Sequence, residues 1–266
     1  MHTHVFPDQL AATAVAAVCR ACAIAPCFDG TLRGLHSFMR HADIARSVVQ
    51  PVASKASQVR SINDWVAALA DDSIIPFGAM HPDLPDPVTE MEHLVALGIP
   101  GFKLHPEYQA FSPDEERLDP LYVAAAKYGL IVYFHAGEDI ALPDVHSTPQ
   151  AFARLLDRHP DLTVVLAHMG GWRQWDEVLR DLAGRDVYLD TSFTLPYLDE
   201  ERFKELVAAH GVEKVLFGSD GPWGDLSRDV AQLRAIPFSR DALDAILWRN
   251  AASLLGLPAE ALLTSE

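Results

Sequence analysis

The stretches LIVYFHA (130–136), TPQAFARLLDRHP (148–160) and LTVVLAH (162–168) follow one another in the middle of this chain. The first and third are continuous apolar runs, as in strands that are buried on both faces of a parallel sheet. The second is typical of an amphipathic helix, with Thr148 as the N-cap and Pro149 at the first helical position. Together the three stretches predict one strand–helix–strand unit.

The same alternation extends over most of the chain. Further helical patterns lie at residues 86–98, 119–129, 171–184 and 199–211. Six further apolar runs are typical of buried strands: THVF (3–6), RSVVQPVA (46–53), IIPFGAM (74–80), GFKL (101–104), DVYLDTS (186–192) and KVLFGSD (214–220). Strand–helix repetition through eight units in 266 residues predicts an α/β fold, the (β/α)8 TIM barrel. An open doubly wound sheet is the alternative, although no run is followed by a Gly-rich phosphate loop.

Composition and charge restrict the number of domains and the class of partner. The chain shows no linker or shift in composition, so we expect one domain over residues 1–266. A net charge of −16 argues against nucleic acid, because binding phosphates requires a patch of Lys and Arg. No apolar run reaches the roughly 18–20 residues of a membrane span, and the start lacks a secretory signal pattern. We therefore expect a cytoplasmic protein that acts on a small molecule.

Polar residues fall at the C-terminal ends of several predicted strands, which is where TIM barrels place their active sites. The first predicted strand carries His2, just before the run THVF, and His4 within it, and the two side chains point the same way because side chains alternate along a strand. The later runs end in Lys103 and His105, His135, His168 and Asp220. The barrel would bring all of these side chains to one mouth.

This set of side chains suits a catalytic metal. Imidazoles and a carboxylate are zinc-type ligands, and a catalytic site keeps one position open for water, whose pKa the metal lowers. Each residue alone also has a structural explanation, since a single His is commonly hydrogen-bonded and an Asp in a turn can cap a helix. Their concurrence at separate strand ends predicts a metal site.

The motifs at these strand ends resemble the amidohydrolase superfamily. Within it they are most similar to the amidohydrolase-related group that includes aminocarboxymuconate semialdehyde decarboxylase. The matching segments are HTH (2–4), GFKLHP (101–106), FHAG (134–137), AHMGG (167–171), LFGSDGPW (216–223) and WRNAASLLGL (248–257). The resemblance implies His2, His4, His135 and Asp220 as metal ligands. It also implies that His168 orients the water or protonates the substrate, and that Asp220 accepts a proton from the water in hydrolytic members.

Lys103 has two interpretations within this superfamily. In some members the equivalent lysine is carbamylated and bridges two metals, whereas the decarboxylase-like group holds one metal without a carbamate. We expect one divalent ion and an unmodified Lys103 that serves the reaction by binding an anionic substrate group, with His105 beside it. Three His and one carboxylate fit Zn²⁺ best, while Mn²⁺, Fe²⁺, Co²⁺ and Ni²⁺ accept similar ligands. A homodimer is compatible with the resemblance.

Two segments offer substrate contacts beyond the predicted ligands. GGWRQW (170–175) supplies Trp172 and Arg173, and GPWGDL (221–226) supplies Trp223. The indole rings would wall off a small organic substrate, and Arg173 would hold a carboxylate. Packing of these side chains beneath the loops explains them equally well.

Three functions remain open from the sequence. The first is metal-dependent hydrolysis of an amide, ester or lactone bond in a small anionic molecule. The second is non-oxidative decarboxylation of a small carboxylic acid at the same site. The third, a barrel without catalysis, conflicts with the complete set of ligands.

The first run also raises a question about its own length. Only Met1 precedes the His2–His4 pair, whereas related chains carry several residues before it. We therefore expect either a short first strand or a true start upstream of Met1.

Overall fold

Eight short strands form the centre of the fold in a computed structural model that describes residues 1–258. They are β1 (Ser47–Val49), β2 (Ile74–Pro76), β3 (Gly78–Ala79), β4 (Gly101–Leu104), β5 (Ile131–Phe134), β6 (Val164–Leu166), β7 (Tyr188–Asp190) and β8 (Val215–Leu216). All neighbouring strands pair in parallel: β1 pairs with β2, and β3 to β8 form a second sheet in sequence order. The last part of the predicted domain, residues 259–266, lies outside the described residues.

Helices connect and cover the strands. They are α1 (Asp8–Cys22), α2 (Leu32–His41), α3 (Val59–Ala67), α4 (Pro87–Ala96), α5 (Pro106–Gln109), α6 (Asp119–Lys127), α7 (Pro149–Arg158), α8 (Trp175–Asp181), α9 (Glu200–His210), α10 (Leu226–Ala235), α11 (Arg240–Asp244) and α12 (Asn250–Leu254). Thr148 caps α7 as predicted, because its side chain accepts a hydrogen bond from the Ala151 amide. Within residues 1–258, no helix has both the length and the apolar character that crossing a membrane requires.

The first predicted strand is reduced to one paired residue. Thr3 forms parallel bridges to Val49 on one side and to Gly221, which follows β8, on the other. The His4 amide donates to the Gly221 carbonyl at 2.7 Å, and the Gln50 amide donates to the Thr3 carbonyl at 2.9 Å. Thr3 thus joins the two ends of the strand order. The architecture is of the predicted TIM-barrel class, with the short first strand that the sequence suggests.

The run at 74–80 is divided into two strands rather than one. Phe77 separates β2 from β3, and its amide donates to the Val49 carbonyl at 2.9 Å. Gly78 then pairs with Phe102 of β4. The chain therefore changes its pairing partner at Phe77, which ends one sheet and begins the next.

Side chains alternate between two apolar layers along each strand. In β5, Ile131 and Tyr133 belong to a small inner cluster, whereas Val132 and Phe134 belong to the large core beneath the helices. This alternation follows from the two-residue period of a strand. Lys103 pairs with Tyr133 in register. The inner row thus places polar groups at the C-terminal ends of the strands, where the cavity lies.

Candidate active site

A cavity of about 630 Å³ lies at the C-terminal ends of the strands. Its lining includes the predicted polar residues His2, His4, Lys103, His105, His135, His168 and Asp220. Much of the remaining wall is apolar or aromatic and includes Phe6, Leu10, Val18, Trp65, Ile140, Trp172, Phe193 and Trp223. Helix α1 contributes Leu10 and Val18 to this wall. The structure therefore brings residues from five separate motifs into one cavity.

His2, His4 and Asp220 form the tightest group of potential ligands. The two Nε2 atoms are 3.1 Å apart, and the Asp220 Oδ1 atom lies 3.3 Å from His2 Nε2 and 3.1 Å from His4 Nε2. His2 Nδ1 pairs with an Asp190 oxygen at 2.8 Å, and His4 Nδ1 pairs with the Gln50 carbonyl at 2.6 Å. Both Nδ1 atoms therefore carry the ring proton, which leaves lone pairs on both Nε2 atoms.

Three acceptors thus point at one another in this group, and none of the three supplies a proton. Such an arrangement is stable around a cation, and two imidazoles with a carboxylate are suitable ligands for a divalent metal. Burial, followed by the charge of Lys103, lowers the pKa of His2 to about 3, so this ring stays neutral and able to ligate. The residues fit the metal that the motifs imply.

His135 does not join this group directly. Its Nε2 lies 3.3 Å from the Glu138 carbonyl, an acceptor, so we place the ring proton on Nε2 and a lone pair on Nδ1. His135 Nδ1 faces His168 Nε2 at 3.1 Å. His168 Nε2 also carries a lone pair, since Nδ1 of that ring donates to the Ser192 carbonyl at 2.9 Å. These two facing lone pairs form a second place where a proton or cation would be held.

His135 also lies in a second group of metal-type ligand atoms, with His105 and Asp139, all within 4.8 Å of one another. His105 accepts a hydrogen bond from the Tyr108 amide through Nδ1, at 3.3 Å. Its Nε2 therefore carries the proton and acts as a donor on the side of Asp139, whose Oδ2 is 3.7 Å away. This tautomer makes His105 a hydrogen-bond donor rather than a ligand, as its predicted substrate-binding role requires.

Lys103 provides a buried positive charge in the cavity lining. It is 1 % exposed, and its Nζ atom lies 3.3 Å from His2 Nε2 and 4.7 Å from the centre of the Tyr133 ring. Burial lowers the pKa of Lys103 to about 8, and the attraction of Asp190 and Asp220 acts in the opposite direction. The side chain therefore remains largely protonated at neutral pH and places a positive charge at the wall of the cavity.

Sequence reasoning missed Asp190, which is fully buried at the end of β7. One oxygen pairs with His2 Nδ1 and accepts from the Tyr133 hydroxyl, while the other accepts from the His168 amide at 3.0 Å and the Ser192 amide at 2.7 Å. Asp190 therefore orients two site histidines. The polar triplet DTS at the end of its apolar run is the signal that could have identified it.

The predicted residues at the cavity rim divide into two groups. Trp172 is buried and lines the cavity, and Trp223 lies 5.2 Å from His4 between ring centres. Arg173 instead stacks on Trp172, with its guanidinium carbon 4.2 Å from the ring centre, and pairs with Glu138 at 3.6 Å. Its side chain is 59 % exposed and does not line the cavity. The predicted carboxylate contact would require Arg173 to leave Glu138.

The fold and site together define a class: barrel enzymes that use a metal held at the strand ends. The sequence matches the amidohydrolase family over residues 1–257, and the chain belongs to that family. It is therefore an enzyme of the amidohydrolase superfamily with a site suited to a divalent metal. No curated protein sequence matches it significantly.

Solved structures show the same architecture. An uncharacterized TIM-barrel protein from Bordetella bronchiseptica is 25% identical, with 96% of this chain and 97% of that chain covered and a TM-score of 0.76. A 5-carboxyvanillate decarboxylase from Novosphingobium aromaticivorans, complexed with manganese and 4-hydroxy-3-methoxy-5-nitrobenzoic acid, is 16% identical (96% and 95% covered, TM-score 0.72). A dihydroxybenzoic acid decarboxylase from Polaromonas sp. JS666, with manganese and 2-nitroresorcinol, is also 16% identical (98% and 98%, TM-score 0.71). At these identities, the two decarboxylases are similar to this chain in fold.

Proposed function

We propose that the protein is a metal-dependent decarboxylase of a small aromatic carboxylic acid. The observation that carries this proposal is the composition of the cavity, which combines lone-pair ligands and the Lys103 ammonium with an extensive apolar and aromatic lining. A planar aromatic acid would place its ring against that wall and its anionic groups over the polar floor. Decarboxylases of aromatic acids share the fold, which supports the same substrate class.

His2, His4 and Asp220 would hold the metal, and His135 would add a fourth ligand through Nδ1. The bound ion supplies a positive charge that orients the anionic groups of the substrate and stabilises developing negative charge. We favour Mn²⁺ over the Zn²⁺ expected from the sequence, because the two decarboxylases of the same fold contain manganese. Metal analysis of protein purified without added metal, and reconstitution with each ion, decides between them.

The remaining residues divide the other tasks of the reaction. Lys103 and the Nε2–H group of His105 would bind the substrate anion. The C–C bond to the carboxylate breaks, carbon dioxide leaves, and the electron pair remains on the ring carbon, which takes up one proton. The Nε2 lone pair of His168, whose Nδ1 donates to the Ser192 carbonyl, would hold that proton and deliver it. The apolar wall limits the access of water to the reacting carbon.

Hydrolysis is the second candidate, and one observation favours it. The Asp220 carboxylate and the unprotonated Nε2 of His168 line the same cavity, and both can accept a proton from a water molecule. Such a pair suits the attack of water on an amide, ester or lactone carbonyl. The polar floor is thus compatible with both reactions.

Isotope labelling separates these reactions. Protein reconstituted with Mn²⁺ or Zn²⁺ is incubated with a panel of hydroxybenzoates carrying ¹³C at the carboxyl group, in D₂O, and with esters and lactones in H₂¹⁸O. We expect ¹³CO₂ release with one deuterium on the product ring. Incorporation of ¹⁸O from water into a new carboxylate, without carbon dioxide, would refute decarboxylation and favour hydrolysis.

A matched pair of histidine variants tests the residues. His168→Asn should abolish turnover because it removes the proton carrier. His93→Asn alters a histidine that pairs with Asp64 at 2.6 Å on the outer surface, and it should retain wild-type turnover.

A further inference from the structure

A buried carboxylate that the proposed reaction leaves unused lies behind the site histidines. Glu107 is on α5, the short helix that follows β4, and its side chain is 0 % exposed. It does not line the cavity. A fully buried carboxylate is costly unless its oxygens are paired, so the surroundings of each oxygen are informative.

The Oε1 atom of Glu107 fastens the loop that follows β5. It accepts hydrogen bonds from the His146 amide at 3.1 Å, the Ser147 amide at 3.0 Å and the Ser147 hydroxyl at 2.6 Å. The Gly137 amide in turn donates to the Ser147 carbonyl at 2.9 Å. The two ends of the loop 137–147 are thereby held together against α5.

This loop reaches the cavity close to His135. Glu138, Asp139 and Ile140 line the cavity, and the Glu138 carbonyl is the acceptor that lies 3.3 Å from His135 Nε2. The contacts of Glu107 Oε1 therefore determine where this carbonyl sits. A displaced loop would remove the acceptor from His135.

The Oε2 atom of Glu107 has no hydrogen-bond partner among residues 1–258 and is fully buried. It lies 3.7 Å from His135 Nε2 and 3.9 Å from His105 Nδ1. His105 Nδ1 is already occupied by the Tyr108 amide. The negative charge of Glu107 is therefore directed most effectively at Nε2 of His135, on the same side as the Glu138 carbonyl.

We propose that Glu107 is a positioning residue that holds the proton of His135 on Nε2, and so keeps the Nδ1 lone pair turned toward the cavity. One oxygen fixes the loop that supplies the Glu138 carbonyl, and the other adds negative charge at the same ring nitrogen. Carboxylates that set the tautomer of a metal-ligating imidazole act in this way. The proposal deepens the proposed function, since it rests on His135 as the fourth ligand.

The ring tautomer can be observed without metal or substrate. Long-range ¹H–¹⁵N spectra of metal-free protein distinguish a protonated from an unprotonated imidazole nitrogen. We expect His135 to be protonated at Nε2 and unprotonated at Nδ1. A proton on Nδ1 in the wild-type protein would overturn the proposal without the need for any variant.

Two variants separate the tasks of the two oxygens. In Glu107→Gln, the amide oxygen can keep the loop contacts while the NH₂ group faces His135, so we expect the proton to move to Nδ1 with unchanged hydrogen exchange in residues 137–147. We also expect Mn²⁺ affinity, measured from the free-ion electron paramagnetic resonance signal, to fall by about 10–100-fold. In Ser147→Ala the charge stays, and we expect faster exchange in the loop.

A buried glutamate elsewhere supplies the matched control. Glu90 is 4 % exposed, accepts from Asn63 Nδ2 at 2.7 Å and pairs with Arg60 at 2.8 Å, away from the cavity. Glu90→Gln should destabilise the fold without changing the His135 tautomer. A wild-type tautomer and wild-type Mn²⁺ affinity in Glu107→Gln would refute the proposal. Absence of Mn²⁺ binding by the wild-type protein would instead refute the metal role in the proposed function and leave the tautomer result standing.

Discussion

Replacement of Asp190 by asparagine should disable the metal site without removing any ligand. Asp190 Oδ2 is the acceptor for the His2 Nδ1 proton, at 2.8 Å, and for the Tyr133 hydroxyl. The other oxygen accepts from two backbone amides, those of His168 and Ser192, and asparagine satisfies this requirement only by pointing its carbonyl at them. Its NH₂ group then faces His2, which must accept through Nδ1 and carry its proton on Nε2.

The magnitude follows from this reversal of the His2 tautomer. A proton on Nε2 occupies the ligand position beside His4 and Asp220. Loss of an orienting partner behind a ligating histidine typically lowers metal affinity by 10–100-fold, or about 1.4–2.8 kcal/mol. The buried hydrogen bonds to a charged acceptor add a loss of folding stability of about 1.5–3 kcal/mol each. We therefore expect a folded protein with a lower unfolding midpoint and at least tenfold weaker Mn²⁺ binding.

Titration with Mn²⁺, followed by the electron paramagnetic resonance signal of the free ion, measures this effect. Asp186→Asn is the matched control, because Asp186 lies just before β7, pairs with Lys214 and is 86 % exposed. Tyr133→Phe removes one donor to Asp190 while leaving the bond to His2, so its Mn²⁺ affinity should stay within about threefold. A folded Asp190→Asn protein with wild-type affinity would show that Asp190 does not set the His2 tautomer.

Three further changes test other parts of the structure. Lys103→Met should lower kcat/KM for an anionic substrate by about 100-fold or more, because it removes the positive charge that binds the substrate anion. It should not weaken Mn²⁺ binding, because Lys103 Nζ contacts His2 Nε2 and competes with the metal ion there; weaker Mn²⁺ binding would contradict this. Removal of the metal with a chelator should abolish turnover and lower the midpoint of thermal unfolding by several degrees, reversibly on addition of Mn²⁺, since an ion at 100 times its Kd stabilises by about 2.7 kcal/mol. Burial raises the pKa of Asp229 to about 7, against the opposing charge of Arg228, and Oδ2 of this aspartate has no hydrogen-bond partner among residues 1–258. In the unfolded chain the Asp229 carboxyl ionises near pH 4, whereas in the folded protein it stays protonated up to about pH 7, so wild-type stability should fall between pH 4 and 7. In urea unfolding, Asp229→Asn should therefore gain about 2 kcal/mol of stability relative to wild type between pH 5 and 8. Equal pH profiles for the two proteins would refute the assignment.

The sequence predicts the fold through the apolar runs, and five of these runs coincide with strands β4 to β8. Strands buried on both faces must be apolar throughout, so their positions are visible without any tertiary information. The division of the run 74–80 at Phe77 was not predictable, because it depends on which neighbour each amide meets. Strand pairing is a property of the assembled sheet and leaves little trace in a single run.

The candidate site is predictable to a similar extent. Polar residues that end apolar runs must converge in a barrel, and the structure brings the predicted seven to one cavity. Side-chain direction beyond a strand end depends on loop packing, which explains why Arg173 lies against Trp172 outside the cavity lining. The residues behind the histidines, Asp190 and Glu107, are harder to recognise because their task is visible only through the ring nitrogen that each one faces.

The first two histidines are held by polar contacts rather than by a strand of ordinary length. Thr3 pairs on both sides, but the residues around it make no continuous ladder in the described structure. Instead, Asp190 from β7 fixes the His2 ring, and the Gln50 carbonyl after β1 fixes the His4 ring. The Gln50 side chain also donates to the Met1 carbonyl at 2.9 Å. Because these contacts come from β7 and from the residue after β1, which are far apart in the sequence, the geometry of the His2–His4 pair depends on the assembled fold, and we expect a change at Asp190 or Gln50 to lower metal affinity first.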